Sequence, residues 1–168
     1  MPRLSSLGLI GRFVVSLVAV VVVQGILAYK FRVFSYIDLP LICTVYYGFT
    51  MGNPIASILM GSTLGLMQDS LSAAVLGTNG FSKTVIGFLA ASAVSKFAVD
   101  QPVTRIVALF LFTLGDGLLV TMLALMISPA SNATYSGALG GWLLSATFNT
   151  TLGLVFLGYR DRLNNATA

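Results

Sequence analysis

Apolar residues run along this chain in long stretches broken by short clusters of glycine, proline and charge. The stretches fall at about 13–29, 37–51, 54–68, 83–97, 103–127 and 137–158, and each predicts a helix. The first, fifth and sixth are long enough to cross a bilayer unaided. The second and third hold about fifteen residues each and meet at Gly52-Asn53-Pro54, a turn signal in which Pro54 suits the start of a helix. At about 1.5 Å per residue, fifteen residues reach about 22 Å, short of a hydrocarbon core of about 30 Å. Two placements stay open: both helices cross a locally thinned bilayer, or they form a re-entrant hairpin. Two crossings are the expectation.

Small residues recur at helical spacing within these stretches. Ser57, Gly61, Gly65 and Asp69 are each four apart, so they share one face of the third helix. Gly141, Ser145, Asn149 and Gly153 do the same on the sixth, and Gly87, Ala91 and Ser95 on the fourth. Lipid tails give no hydrophobic drive for helix association, so close approach relies on such residues. Internal packing is the first reading of the stripes, and a partner-binding face is the second.

Composition strengthens the membrane reading. Of 168 residues, 57% are hydrophobic and 8% charged, too few polar groups to cover a water-soluble domain of this size. The expected architecture is an all-α membrane protein, a bundle of about six short transmembrane helices forming one integral membrane domain over residues 1–168. Arg3 and Arg12 ahead of the run from Phe13 resemble the head of a cleaved signal peptide. That run continues to about Tyr29 with no small-x-small site at its end, so it reads as an uncleaved first span. With six spans and the N-terminus inside, Arg3, Arg12, Lys96, Arg105, Arg160 and Arg162 are cytoplasmic, against Lys30, Arg32 and Lys83 outside, which places both termini in the cytoplasm.

The charged inventory narrows the chemistry. There is no His, and all five acids are Asp, at 38, 69, 100, 116 and 161. The usual base at neutral pH and commonest metal ligand is therefore missing. Cys43 is the single cysteine, read as a packing residue in an apolar run. The net charge of +4 is dispersed over short loops, which does not support nucleic-acid binding. The expectation is a chain without catalysis, cofactor or metal.

Two places carry polar residues at a cost in lipid. Asp69 ends the third helix, a polar loop follows through Gly77 and Asn79, and Lys83 opens the fourth. In such a hairpin Asp69 and Lys83 lie at one membrane level and are expected to pair. That pair is either an interfacial ion pair or part of an external pocket or docking surface. Asp116 sits mid-way along the fifth stretch between Gly115 and Gly117, with Lys83 as a candidate partner. An ionised Asp at the bilayer centre costs about 2.5–3.5 kcal/mol on insertion scales, so it is either functional or a structural hydrogen-bonding group.

The segment from Gly61 through Gly65, Asp69, Gly77, Asn79 and Lys83 to Gly87 resembles the central signature of the MreD family of bacterial rod shape-determining membrane proteins. The pattern is Gly-x-x-x-Gly-Leu-x-x-Asp, a polar loop with glycine, and a helix carrying a small residue before an aromatic. A short second span opened by Asp38-Leu-Pro40-Leu and the acid at Asp116 are similar too. The resemblance implies a non-catalytic subunit of the inner membrane that binds MreC and belongs with MreB filaments, RodA and its penicillin-binding transpeptidase in the elongation machinery, helping to position peptidoglycan synthesis. The implied fold is similar to the substrate-binding S-components of energy-coupling-factor vitamin transporters. On that analogy Asp69, Asn79 and Lys83 line the outer end of the bundle, and the stripes through Ser57, Gly61, Gly65 and Gly87 partly serve partner helices. The alternative function is an S-component itself, capturing a vitamin for uptake.

Overall fold

The computed structural model describes residues 6–72, 75–94, 101–127 and 138–166. These form six α-helices: α1 (Ser6–Lys30), α2 (Leu39–Met51), α3 (Pro54–Leu71), α4 (Thr78–Val94), α5 (Pro102–Ile127) and α6 (Ala138–Ala166). A 3-10 helix, Arg32–Tyr36, bridges α1 to α2. No strand occurs among the described residues. The expected run at 83–97 ends in residues outside those described, as does Ser95.

Local chemistry sets the helix ends. Asp38 caps α2: its carboxylate accepts from the Leu41 amide at 2.9 Å, and Pro40 sits in the first turn, where its missing amide leaves no donor unmet. Gly52 ends α2 in the left-handed conformation at φ 57°, which a residue with a Cβ adopts only under strain. Asn53 then caps α3, accepting from the Ile55 amide at 3.0 Å, with Pro54 as the first helical residue. One tripeptide thus stops a helix and starts the next.

The α4 boundary departs from the sequence reading. The helix begins at Thr78 and not at Lys83, so Lys83 lies more than one turn inside it. The cause is Asp69, whose carboxylate reaches across from α3 and captures the amides at the start of α4.

The largest interface joins α3 to α4, with α2 packed on both. The small-residue stripe is the seam. A Cβ on Gly61 would overlap the Lys83 carbonyl, one on Gly65 would stand 2.7 Å from the Gly80 Cα, and one on Gly87 would stand 2.5 Å from the Ser57 carbonyl oxygen. Backbone therefore meets backbone on both sides, which only glycine permits. A core of Leu41, Val45, Ile86, Ala90 and Leu109 joins α2, α4 and α5. A second, of Leu17, Val21, Met60 and Leu64, joins α1 to α3, with the half-buried Cys43 packed against it.

Polar and apolar residues are distributed inside out. Lys83 and Asn149 are completely buried, as nearly are Asp69 and Asp116, while Val15, Ile26, Leu111 and Met126 are 58–80% exposed. Such a surface suits hydrocarbon and not water as the surround. Among the described residues one stretch, Val103–Ile127, is long and apolar enough to cross a membrane by composition alone. The six-span expectation is met by composition at that helix only. The physical reason lies in α2, α3 and α4: they are 13, 18 and 17 residues long and carry the polar interior, including Thr44, Ser57, Asp69, Ser82 and Lys83.

Candidate functional site

Asp69 is the first element of the buried polar centre. It stands at the end of the glycine seam, where the close approach of α3 brings its carboxylate to the N-terminus of α4. Oδ2 accepts from the Gly77 amide at 2.8 Å and the Gly80 amide at 3.1 Å. Oδ1 accepts from the Asn79 amide at 3.2 Å and the Asn79 side-chain Nδ2 at 2.8 Å. Gly77 holds φ 99°, a left-handed conformation that turns its amide onto the acid. An anion among otherwise unbonded amides at a helix start is held by both hydrogen bonds and the helix dipole. Asp69 is thus a cap for α4.

The expected Asp69–Lys83 pair does not form. Asp69 is saturated by amides, and Lys83, one turn deeper, extends to different acids. Its Nζ donates to Asp38 Oδ2 at 2.8 Å and lies 3.8 Å from Asp116 Oδ1. It also donates to Asn79 Oδ1 at 3.3 Å, so Asn79 bridges the Asp69 cap and the lysine. Ser82 donates to Asp116 Oδ1 at 2.6 Å. A cation in low dielectric is tolerated only with such partners.

Asp38 links this centre to the remaining helices. Beyond Lys83, its Oδ2 accepts from Gln68 Nε2 at 3.4 Å, and its amide donates to Asn149 Oδ1 on α6 at 2.8 Å. Gln24 on α1 secures the same entry, its Nε2 donating to the Ile37 carbonyl at 3.0 Å and its Oε1 accepting from the Leu39 amide at 2.7 Å. Side chains from five helices, α1 and α3 to α6, thus join Asp38, the cap of α2, in one connected network.

Beside the network lies a cavity of about 120 Å³, whose wall includes Asp38, Gln68, Asp116, Trp142 and Asn149. Trp142 reaches it because Gly117 has no side chain: a Cβ there would stand 2.8 Å from the indole Cδ1. At Gly115 the nearest atom is Ile86 Cδ1, in ordinary contact at 3.6 Å. Among the described residues no three His, Cys, Asp or Glu side chains gather as metal ligands.

The structure brings Asp69, Gly77, Asn79, Lys83 and Asp116 together at this centre, while Ser57, Gly61, Gly65 and Gly87 form the seam beneath it. Sequence reasoning gave Asp38 a place only as the opening of a helix, and gave Gln24, Gln68, Ser82 and Trp142 none. Two signals pointed to them: an acid directly before Leu39-Pro40, and a solitary Gln24 in an otherwise apolar run. The sequence pattern places Asn149 in the packing stripe of α6, and there it accepts from the Asp38 amide.

A helical membrane protein with Asp69, Lys83 and Asp116 folded inward around a polar centre is the class these features define. A family model, that of the rod shape-determining protein MreD, matches residues 8–161, nearly the whole chain. The chain belongs to the MreD family, which ties it to rod-shape determination. Neither the curated proteins nor the solved structures hold a significant match.

Proposed function

We propose that this chain is a non-catalytic, multi-pass subunit of the cell-elongation machinery that binds MreC directly and helps to position peptidoglycan synthesis, alongside RodA, its penicillin-binding transpeptidase and MreB. The family match over residues 8–161 carries this reading. The geometry supports it in one respect: the α3 and α4 stripes are occupied by each other, so a partner helix meets the apolar outer faces instead. The single membrane domain sits in the inner membrane with both termini cytoplasmic. Lys83 is buried inside the bundle and drops out of the loop comparison, leaving six basic positions inside against Lys30 and Arg32 outside. The test is depletion together with co-purification: cells lose rod shape, and MreC is recovered with the chain from solubilised membranes. Normal rods after clean deletion refute the reading.

A second reading, vitamin capture for uptake, draws on the cavity beside Asp116. It expects tight binding of a small polar ligand and uptake that depends on a partner ATPase.

A further inference from the structure

We infer that the cavity beside Asp116 seats the ammonium end of an aminolipid headgroup, with the rest of the lipid leaving between α1 and the end of α3. Three observations meet here. The first is charge. Asp38 and Asp116 share one cation, Lys83, while the charge of Asp69 is engaged by the α4 amides. Two carboxyl groups against one ammonium leave one acid on this wall without a cation of its own, and a lone carboxylate in hydrocarbon is costly unless it takes a proton or a second cation joins it.

The second is an unmet donor and an unmet acceptor on the same wall. Asn149 is completely buried; its Oδ1 accepts from the Asp38 amide, and its Nδ2 has no hydrogen-bond partner within the chain. Gln68 donates to Asp38 through Nε2, and its buried Oε1 likewise has no partner. A buried polar atom without a partner is costly. An occupant matching this wall donates to Gln68 Oε1 and the carboxylates, accepts from Asn149 Nδ2, and carries positive charge. Trp142 lies on the same wall, and an indole is the side chain best suited to a neighbouring cation.

The third is shape. One water takes about 10–15 Å³ of such space, so about 120 Å³ admits a group of several heavy atoms. A second cavity of about 210 Å³ shares Gln24, Ser35 and Gln68 with the first and continues along Val21, Gly25, Ala28 and Leu71. A polar, acid-lined inner chamber joined to an outer one with apolar walls on α1 and α3 fits an amphiphile entering head first. A primary ammonium with an adjacent ester oxygen supplies both the donors and the acceptor; a trimethylated ammonium supplies no N–H, and an uncharged glycerol headgroup no cation.

The test uses the full chain purified in detergent and incubated with an equimolar mixture of phosphatidylethanolamine, phosphatidylcholine and phosphatidylglycerol. Lipid retained after repurification is quantified. Phosphatidylethanolamine is expected to be enriched about tenfold over phosphatidylcholine, the ratio set by one charge-assisted hydrogen bond. Asp116→Asn and Gln68→Leu should each abolish the enrichment; Gln68 lies near the end of α3 and is only partly buried, so its variant remains informative if Asp116→Asn fails to fold. Displacement of the lipid by free phosphoethanolamine, but not by free phosphate, supports the ammonium site. Equal retention of the three lipids overturns the inference, as does enrichment unchanged in Gln68→Leu. Stabilisation of the wild type, but not of Asp116→Asn, by sodium chloride alone also overturns it, because an inorganic cation then takes the site.

Discussion

Gly65→Ala adds one methyl group where the α3–α4 seam meets the start of α4. The new Cβ would stand 2.6 Å from the Asn79 carbonyl carbon and 2.7 Å from the Gly80 Cα. Carbon atoms rest at about 3.5–4.0 Å, and these neighbours are backbone, so the two helices must part by about 1 Å. The residues pushed away are the ones whose amides hold Asp69, at 3.2 Å and 3.1 Å, and a further 1 Å takes both beyond hydrogen-bonding range. Overpacking costs about 1–3 kcal/mol, and each hydrogen bond to a charged group contributes about 1.5–3 kcal/mol. With partial relaxation a loss of about 4 kcal/mol is expected. At about 2–4 °C per kcal/mol for a chain of this size, the melting temperature of the purified chain in detergent should fall by about 8–16 °C. Gly140→Ala is the control, since nothing lies within 4 Å of a Cβ at that exposed helical position; alanine there should leave melting unchanged or slightly raised. If the two variants melt within about 2 °C of each other, the seam does not depend on glycine and the reasoning fails.

Lys83→Met leaves Asp38 and Asp116 without their cation and should cost about 3–5 kcal/mol; adding Asp38→Asn should return part of the melting temperature. Asp69→Ala should weaken co-purification of MreC more than Cys43→Ala, because Asp69 orders the start of α4 whereas Cys43 only packs beside the α1–α3 core. Comparable losses of MreC from both variants would contradict that ranking. Asn53→Ala removes the α3 cap and should lower stability by about 1 kcal/mol in the same melting assay.

What the sequence disclosed was local. The helix runs, the Gly52-Asn53-Pro54 turn and the four-residue stripe are set by neighbours a few positions apart, and each was legible. The start of α4 was not, because it depends on Asp69 reaching amides eight to eleven residues away. Pairing Asp69 with Lys83 followed from their nearness in a hairpin; amide capping wins because a helix start offers several donors at once. The partner Lys83 adopts, Asp38, is 45 residues away, and the contact of Asp38 with Asn149 spans 111. No local periodicity encodes separations of that kind. Composition also overstated uniformity: α2 and α4 are short, and α3 and α4 give up apolar positions to Asp69, Ser82 and Lys83 because they furnish the interior.

The ion cluster is better understood as a selector of arrangement than as a source of stability. A buried ion pair replaced by well-packed apolar residues is often neutral or stabilising, whereas removing one partner is costly. In hydrocarbon, apolar faces of α2, α4, α5 and α6 have little reason to prefer one mutual rotation over another. Lys83 supplies that reason. Its ammonium meets a carboxylate at the head of α2 and another midway along α5, and Asn149 of α6 closes on the amide of that same Asp38. Rotating α4 by one residue, about 100°, would carry Lys83 away from both acids and turn Gly61's and Gly65's neighbours out of the seam. The glycines permit the close approach, and the charges determine which approach is taken. A bundle fixed in that way from within leaves its outer, apolar faces free of any structural duty, and those are the faces a partner helix in the membrane would meet.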